Sequence, residues 1–184
     1  MQKILIAVVA VVVIVGGYIF MTHNRLVTAN EAIDGQWAQV ETQYQRRLDL
    51  IPNLVESVKG VMSQEQKIFG ELAEARTRYA ESGSSDQKAQ AATELEGALG
   101  RLLVIMENYP QLKSAENVQT LMAQLEGTEN RVSVERGRYN DAVRNFNVMI
   151  KRIPARWVAA FLGFAERNYF EATKGAEVAP KVEL

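Results

Sequence analysis

ILIAVVAVVVIVGGYIFM, residues 4–21, is an unbroken apolar run that carries no charge. A helix rises about 1.5 Å per residue, so the run spans roughly 27 Å, close to the hydrocarbon thickness of a bilayer. About a dozen of its residues are Ile, Val, Leu or Phe; at roughly −0.3 to −0.6 kcal/mol each on an insertion scale they outweigh Gly16, Gly17 and Tyr18. A cleaved leader needs small residues in an Ala-x-Ala-like site. Val15-Gly16-Gly17 does not supply one, and the absence of cysteine excludes lipoprotein processing. The expectation is an uncleaved, single-pass anchor over residues 1–23. Membrane lipid is then the first partner.

Lys3 and the terminal amine lie before the run, and Arg25 is the fixed positive charge after it, facing Glu31 and Asp34. Counting Lys and Arg near the membrane favours the N-terminus inside and the bulk outside the cytoplasm. The margin is a single charge.

Beyond the anchor the expectation is one helical domain over residues 24–174 and a polar tail over 175–184. The net charge of −1 provides no basic field for nucleic acid, which excludes that partner class. With no cysteine, disulfides, thiolate metal sites and cysteine nucleophiles are excluded. Four prolines amid many Ala, Glu, Gln, Leu and Arg point to helices. Strand signatures, alternating Val/Thr/Tyr runs between turn pairs, are missing.

Residues 24–79 read as one long helix or two in series. Leu26, Ile33, Trp37, Val40, Tyr44, Leu48, Ile51, Val55, Val58 and Met62 form one stripe at helical spacing. Pro52 interrupts the hydrogen bonding without shifting the stripe's phase, which predicts a kink near residues 49–52 or a new helix starting at Pro52. Gly60 and Gly70 fall within helical sequence. Glu81-Ser-Gly-Ser-Ser-Asp86 is the clearest break, with Ser85 or Asp86 placed to cap the next helix. That helix is expected over 86–108, with Leu95, Leu99, Leu102, Leu103 and Met106 on its apolar face.

A third segment over 115–153 carries Val118, Leu121, Leu125, Thr128, Val132, Tyr139, Val143, Phe146 and Ile150 at steps of three and four. Glu135 and Arg136 fall in the one apolar slot the stripe skips. Ile153-Pro154 ends it, and an aromatic-rich helix follows over 155–172. The fold class is therefore all-α: an N-terminal single-pass transmembrane helix followed by a long antiparallel, coiled-coil-like helical bundle. A helix of about 55 residues is roughly 80 Å long, more than a compact domain of this size needs. This suggests pairing with other copies, and a homo-oligomer is expected.

Chemistry-bearing patterns are sparse. His23 is the lone histidine, so a nitrogen- or sulfur-rich zinc site cannot form within one chain. Walker, dinucleotide and Gly-x-Ser-x-Gly patterns do not occur. Glu126 and Glu129 stand one turn apart, as carboxylates on solvated helix faces commonly do. No catalytic, cofactor-binding or metal residues are assigned and no cofactor is expected. Trp157, Phe161, Phe164 and Phe170 are the candidates for contact with membrane or with another subunit. Arg47, Asp49, Glu129, Asn130, Arg131, Tyr139 and Asn140 are the candidates for a structural polar network that fixes helix register.

Several blocks carry a family resemblance. They include Trp37-Ala38-Gln39-Val40-Glu41, Arg46-Arg47-Leu48-Asp49-Leu50-Ile51-Pro52-Asn53-Leu54, Leu99-Gly100-Arg101-Leu102-Leu103 and Glu107-Asn108-Tyr109-Pro110-Gln111-Leu112-Lys113. Leu125-Glu126-Gly127-Thr128-Glu129-Asn130-Arg131, Tyr139-Asn140, Asn145-Phe146-Asn147 and Gly163-Phe164 complete them. In this the chain resembles the LemA family of bacterial membrane-anchored proteins. The resemblance implies a membrane helix, a helical bundle and a place at the bacterial inner membrane. It carries over no catalytic residues. It also implies a cytoplasmic bundle, against the charge count, so both orientations stand. The expected function is a non-enzymatic scaffold or organiser of the envelope that self-assembles; the alternative is a monomeric adaptor for another envelope protein.

Overall fold

Helix α1 (Gln2–Lys59) carries the apolar run at its start and Pro52 in its interior. The computed structural model describes residues 1–170, and the expected tail over 175–184 lies outside them. After α1 come α2 (Gln66–Glu81), α3 (Ser85–Met106), the single turn α4 (Pro110–Lys113), α5 (Glu116–Lys151) and α6 (Ala155–Phe161). Among the described residues there is no strand.

The first long segment breaks at Gly60, and no new helix starts at Pro52. α1 runs through the proline, which removes one hydrogen bond from a helix held by its packed face. Gly60 has almost no helix preference and sits in the turn. There the amides of Val61 and Met62 both return to the Val58 carbonyl, at 3.1 and 2.9 Å. The α3 cap is Ser84, one residue earlier than expected. Its hydroxyl accepts from the Gln87 amide at 3.3 Å, while Gln87 Oε1 accepts from the Ser84 amide at 3.3 Å. Gln87 selects Ser84 because a capping box needs its partner three residues on.

The last helix is also shorter than the sequence suggested. Gly163 takes φ 78°, and the Phe164 amide reaches back to the Ala159 carbonyl at 3.0 Å while the Gly163 amide bonds Ala160 at 3.4 Å. This pair is a Schellman motif, which a left-handed glycine permits and which ends α6 at Phe161. Residues 164–170 are non-helical.

The chain divides into two compact units, and α1 and α5 contribute to both. The first unit holds residues 1–38 and 137–169. Leu26 and Ile33 of α1, Val143, Phe146 and Ile150 of α5, and Val158 and Ala159 of α6 are buried in it. Residues 4–15 are exposed throughout. The run's mean hydropathy is 3.0, long and apolar enough to cross a membrane.

The second unit, residues 39–136 with Phe170 among the described ones, is a four-helix bundle. Its directions follow from side-chain pairs. Arg78–Glu94 at 2.8 Å and Arg101–Glu71 at 2.9 Å set α2 and α3 antiparallel. Arg47–Glu129 and Arg136–Tyr44 set α1 and α5 antiparallel. Tyr44, Leu54, Met62, Leu72, Leu95, Leu102, Val118 and Val132 are fully covered, so the stripes read from the sequence close on one another within this unit.

Candidate functional site

Inside the second unit, three helices converge on Glu96. Tyr44 and Arg47 lie one turn apart on α1, and Glu129 and Arg136 lie two turns apart on α5, so each pair shares a face. Glu96 Oε1 on α3 receives the Tyr44 hydroxyl at 2.7 Å, the Arg47 guanidinium at 3.3 Å and the Arg136 guanidinium. Arg47 reaches Glu129 with its other terminal nitrogen. Arg136 also donates to the Tyr44 hydroxyl, and its guanidinium carbon lies 4.2 Å from the Phe170 ring centre and 5.4 Å from that of Tyr44. Two cations face two anions, which offsets the desolvation of each.

Burial pushes the Glu96 carboxyl from 4.5 up to about 7; the Glu129 carboxylate adds to the rise, and Arg47 opposes it without cancelling it. Burial likewise lowers Arg136 to about 10. A carboxyl shifted this far often marks a working site. Here its Oε1 is filled by three protein donors, and the group is largely covered. The arrangement can hold three helices in register. It presents neither a nucleophile nor a free acid–base pair to a substrate.

Beside the network lies a cavity of about 690 Å³ in the same unit. Leu99, Leu103, Met106, Leu112, Met122 and Leu125 make it apolar. Arg47 and Glu129 lie among its lining, with Glu107, Glu126 and Gln119 as the other polar members. α4 contributes Leu112, placed by the Tyr109-Pro110 step that ends α3 and starts the short turn.

The first unit has its own polar cluster. The Asn147 side chain pairs with the backbone of Arg167, donating to its carbonyl and accepting from its amide, both at 2.9 Å. Arg167 then bonds Asn30 at 3.0 Å and pairs with Asp34, and the Tyr139 hydroxyl donates to the Asn168 carbonyl at 3.1 Å. These bonds fasten the non-helical segment after α6.

The structure brings Arg47 and Glu129 together but leaves Asp49 exposed, accepting from Gln45 at 3.2 Å on its own helix. Asn130 and Arg131 are exposed on α5, and Tyr139 and Asn140 belong to the first unit. Tyr44, Glu96 and Arg136 were not singled out by sequence reasoning for the network. Arg136 had a signal, a charge in a skipped apolar slot, while Tyr44 reads as apolar stripe and Glu96 carries no signal in the sequence. Of the four aromatic candidates, Trp157 and Phe161 are exposed, Phe164 is half-buried against Phe146 at 6.2 Å between ring centres, and Phe170 is buried. Among the described residues no three His, Asp or Glu side chains group as a metal site.

The sequence model of the LemA family matches residues 36–184. The chain is similar to Magnetosome protein MamQ 2 and Magnetosome protein MamQ 1 of Paramagnetospirillum magneticum strain AMB-1. Each is 26% identical over 179 residues, covering 83% of this chain and 66% of the relative. It is also similar to Magnetosome protein MamQ of Magnetospirillum gryphiswaldense strain MSR-1, 26% identical over 178 residues, with 83% and 65% covered. The chain thus spans just under two thirds of the length of these relatives.

Proposed function

Because the chain belongs to the LemA family, and because its first helix opens with an apolar run, we propose that it works without catalysis, as a membrane-anchored adaptor for another envelope protein. The observation that carries this reading is the apolar cavity with its acidic edge. Glu107 and Glu126 are exposed there, and the lining cation, Arg47, is already held by Glu96 and Glu129. The occupant we assign is an amphipathic helix of a partner protein. Its apolar side chains enter among Met106 and Met122, whose unbranched thioethers adapt to varied shapes. Its Lys or Arg residues face the two glutamates. The relatives are named as magnetosome proteins, and a docking role at such a structure is part of the same proposal.

A self-assembling scaffold or organiser is the competing outcome. It rests on a first helical segment longer than a compact domain needs. In the second unit the apolar stripes are covered by the chain's own helices, which favours the adaptor. Light scattering in detergent is expected to give one 20.6 kDa chain plus micelle; a multiple of that mass supports the scaffold. A photo-crosslinker at Met122 in cells is expected to label a foreign helix bearing Lys or Arg, and the adduct is lost in the Glu107→Lys/Glu126→Lys double variant. Self-adducts only, or labelling equal to that from exposed Val104, overturns the reading.

A further inference from the structure

We infer that α6 is a second membrane contact, a short foot whose outer face enters the headgroup region of an anionic bilayer. Trp157 is 65% and Phe161 87% exposed, one turn apart on one face, with Ile153 exposed just ahead of them. Val158 and Ala159 bury the opposite face. Such a large aromatic pair left in water marks a surface that meets something. Lys151, Arg152 and Arg156 surround it, and Glu166, paired with Lys151 at 2.7 Å, is the acidic neighbour. Aromatics with basic residues match the chemistry of a membrane interface, where indole rings sit at headgroup level and cations meet lipid phosphates.

Position within the first unit identifies lipid as the occupant. The Phe164 ring, three residues past the α6 terminus, meets the His23 ring with centres 6.4 Å apart. His23 follows the apolar run by two residues. At the end of that run Tyr18 and Ile19 are 39% and 40% exposed while Phe20 and Met21 stay at 68% and 64%, and Thr22 is buried. Protein therefore begins to cover one face of α1 within the last turns that lipid would surround. Phe164 against His23 places the chain just past α6 beside the end of the run, so the α6 aromatics lie a few residues from the level where the run leaves the bilayer.

The test uses the full chain in vesicles of phosphatidylcholine and phosphatidylglycerol, with acyl chains brominated near the glycerol. Trp37 and Trp157 are the two tryptophans, and Trp37 is packed edge-on to Tyr139 at 5.5 Å. Brominated lipid is expected to quench roughly half of the wild-type emission, as an interfacial indole should be quenched, and to leave Trp157→Phe almost unquenched. Arg152→Gln/Arg156→Gln is expected to reduce the wild-type quenching by about twofold, as loss of headgroup attraction predicts. Equal quenching in wild type and Trp157→Phe overturns the inference. So does a blue-shifted Trp157 emission that rises with protein-to-lipid ratio without quenching, since a second copy would then be covering α6.

Discussion

The interior of the second unit and the outer face of α6 hold the same kinds of side chain in opposite situations. In the bundle, stripes from four helical segments close on one another and even the cations are paired. On α6, and along residues 4–15, large apolar groups have no protein over them. The hydrophobic effect acts equally on both. What differs is the cover: the chain's own helices take up the first surface, and lipid is the cover proposed for the second. The comparison therefore separates side chains that specify the fold from side chains that specify its surroundings, and the two classes should respond differently to substitution.

The largest effect is expected inside the bundle. Arg47→Ala removes a cation from between Glu96 and Glu129 and leaves a buried carboxylate with fewer donors. Breaking a buried pair costs about 3–5 kcal/mol; Glu129 is half-exposed and can turn to water, so the lower end is expected. Urea unfolding in detergent, followed by circular dichroism, reads the loss. Trp157→Ala in the same assay should leave the midpoint unchanged. If both variants moved it alike, the division between fold and surroundings would be broken.

The apolar run supplies the reverse case. Val12→Arg costs roughly 3 kcal/mol of insertion free energy at a helix centre. A larger share of the protein should then appear in the supernatant after alkaline carbonate treatment, with the urea midpoint of the bundle unmoved. A shifted midpoint would mean that residues 4–21 support the fold as well as the tether.

Acidity probes the bundle without a mutation in the reference protein. Glu96 is raised from 4.5 to about 7 in the folded chain, so the folded state holds this proton more tightly than the unfolded state does. Its contribution is complete below about pH 4.5 and is lost as pH rises through about 7. At about 1.4 kcal/mol for each pH unit between those values, the full change is on the order of 3 kcal/mol. Stability measured from about pH 5 to about pH 8 should fall in the wild type and stay nearly flat in Glu96→Gln. A parallel fall in both would assign the dependence to other groups.

Much of this architecture was legible in the sequence because helical spacing repeats for many turns. The stripes of α1, α3 and α5, the break at 81–86 and the stop at Pro154 are all written in local patterns. At Pro52 the sequence left open whether a new helix starts; none does, because a proline's local cost is one hydrogen bond, whereas α1 is held by packing that spans many turns. The Glu96 network was hidden for another reason. Arg47, Glu96 and Arg136 come from three helices, and nothing in one helix's spacing says which polar residues of another will face it. Arg47 and Glu129 were legible as network candidates but their shared partner was not, and Arg136 showed itself only as a charge where the stripe called for an apolar group.

The smallest effect tests the joint between the two classes. Gly163 ends α6 in a left-handed conformation that costs an L-residue roughly 1–2 kcal/mol. A Cβ there meets no atom within 4 Å, so Gly163→Ala carries that backbone cost without a clash. Asparagine tolerates the region better, and Gly163→Asn should lose about half as much. The urea midpoint of the second unit should be unmoved in both variants, because Gly163 belongs to the first. Relaxing the Schellman turn would draw Phe164 away from His23 and Phe146 and free α6 to tilt. Trp157 quenching by brominated lipid should then fall in Gly163→Ala and recover partly in Gly163→Asn. If quenching were identical in all three proteins, the turn would have no part in aiming α6, and the aromatic face would have to find the membrane by its own affinity.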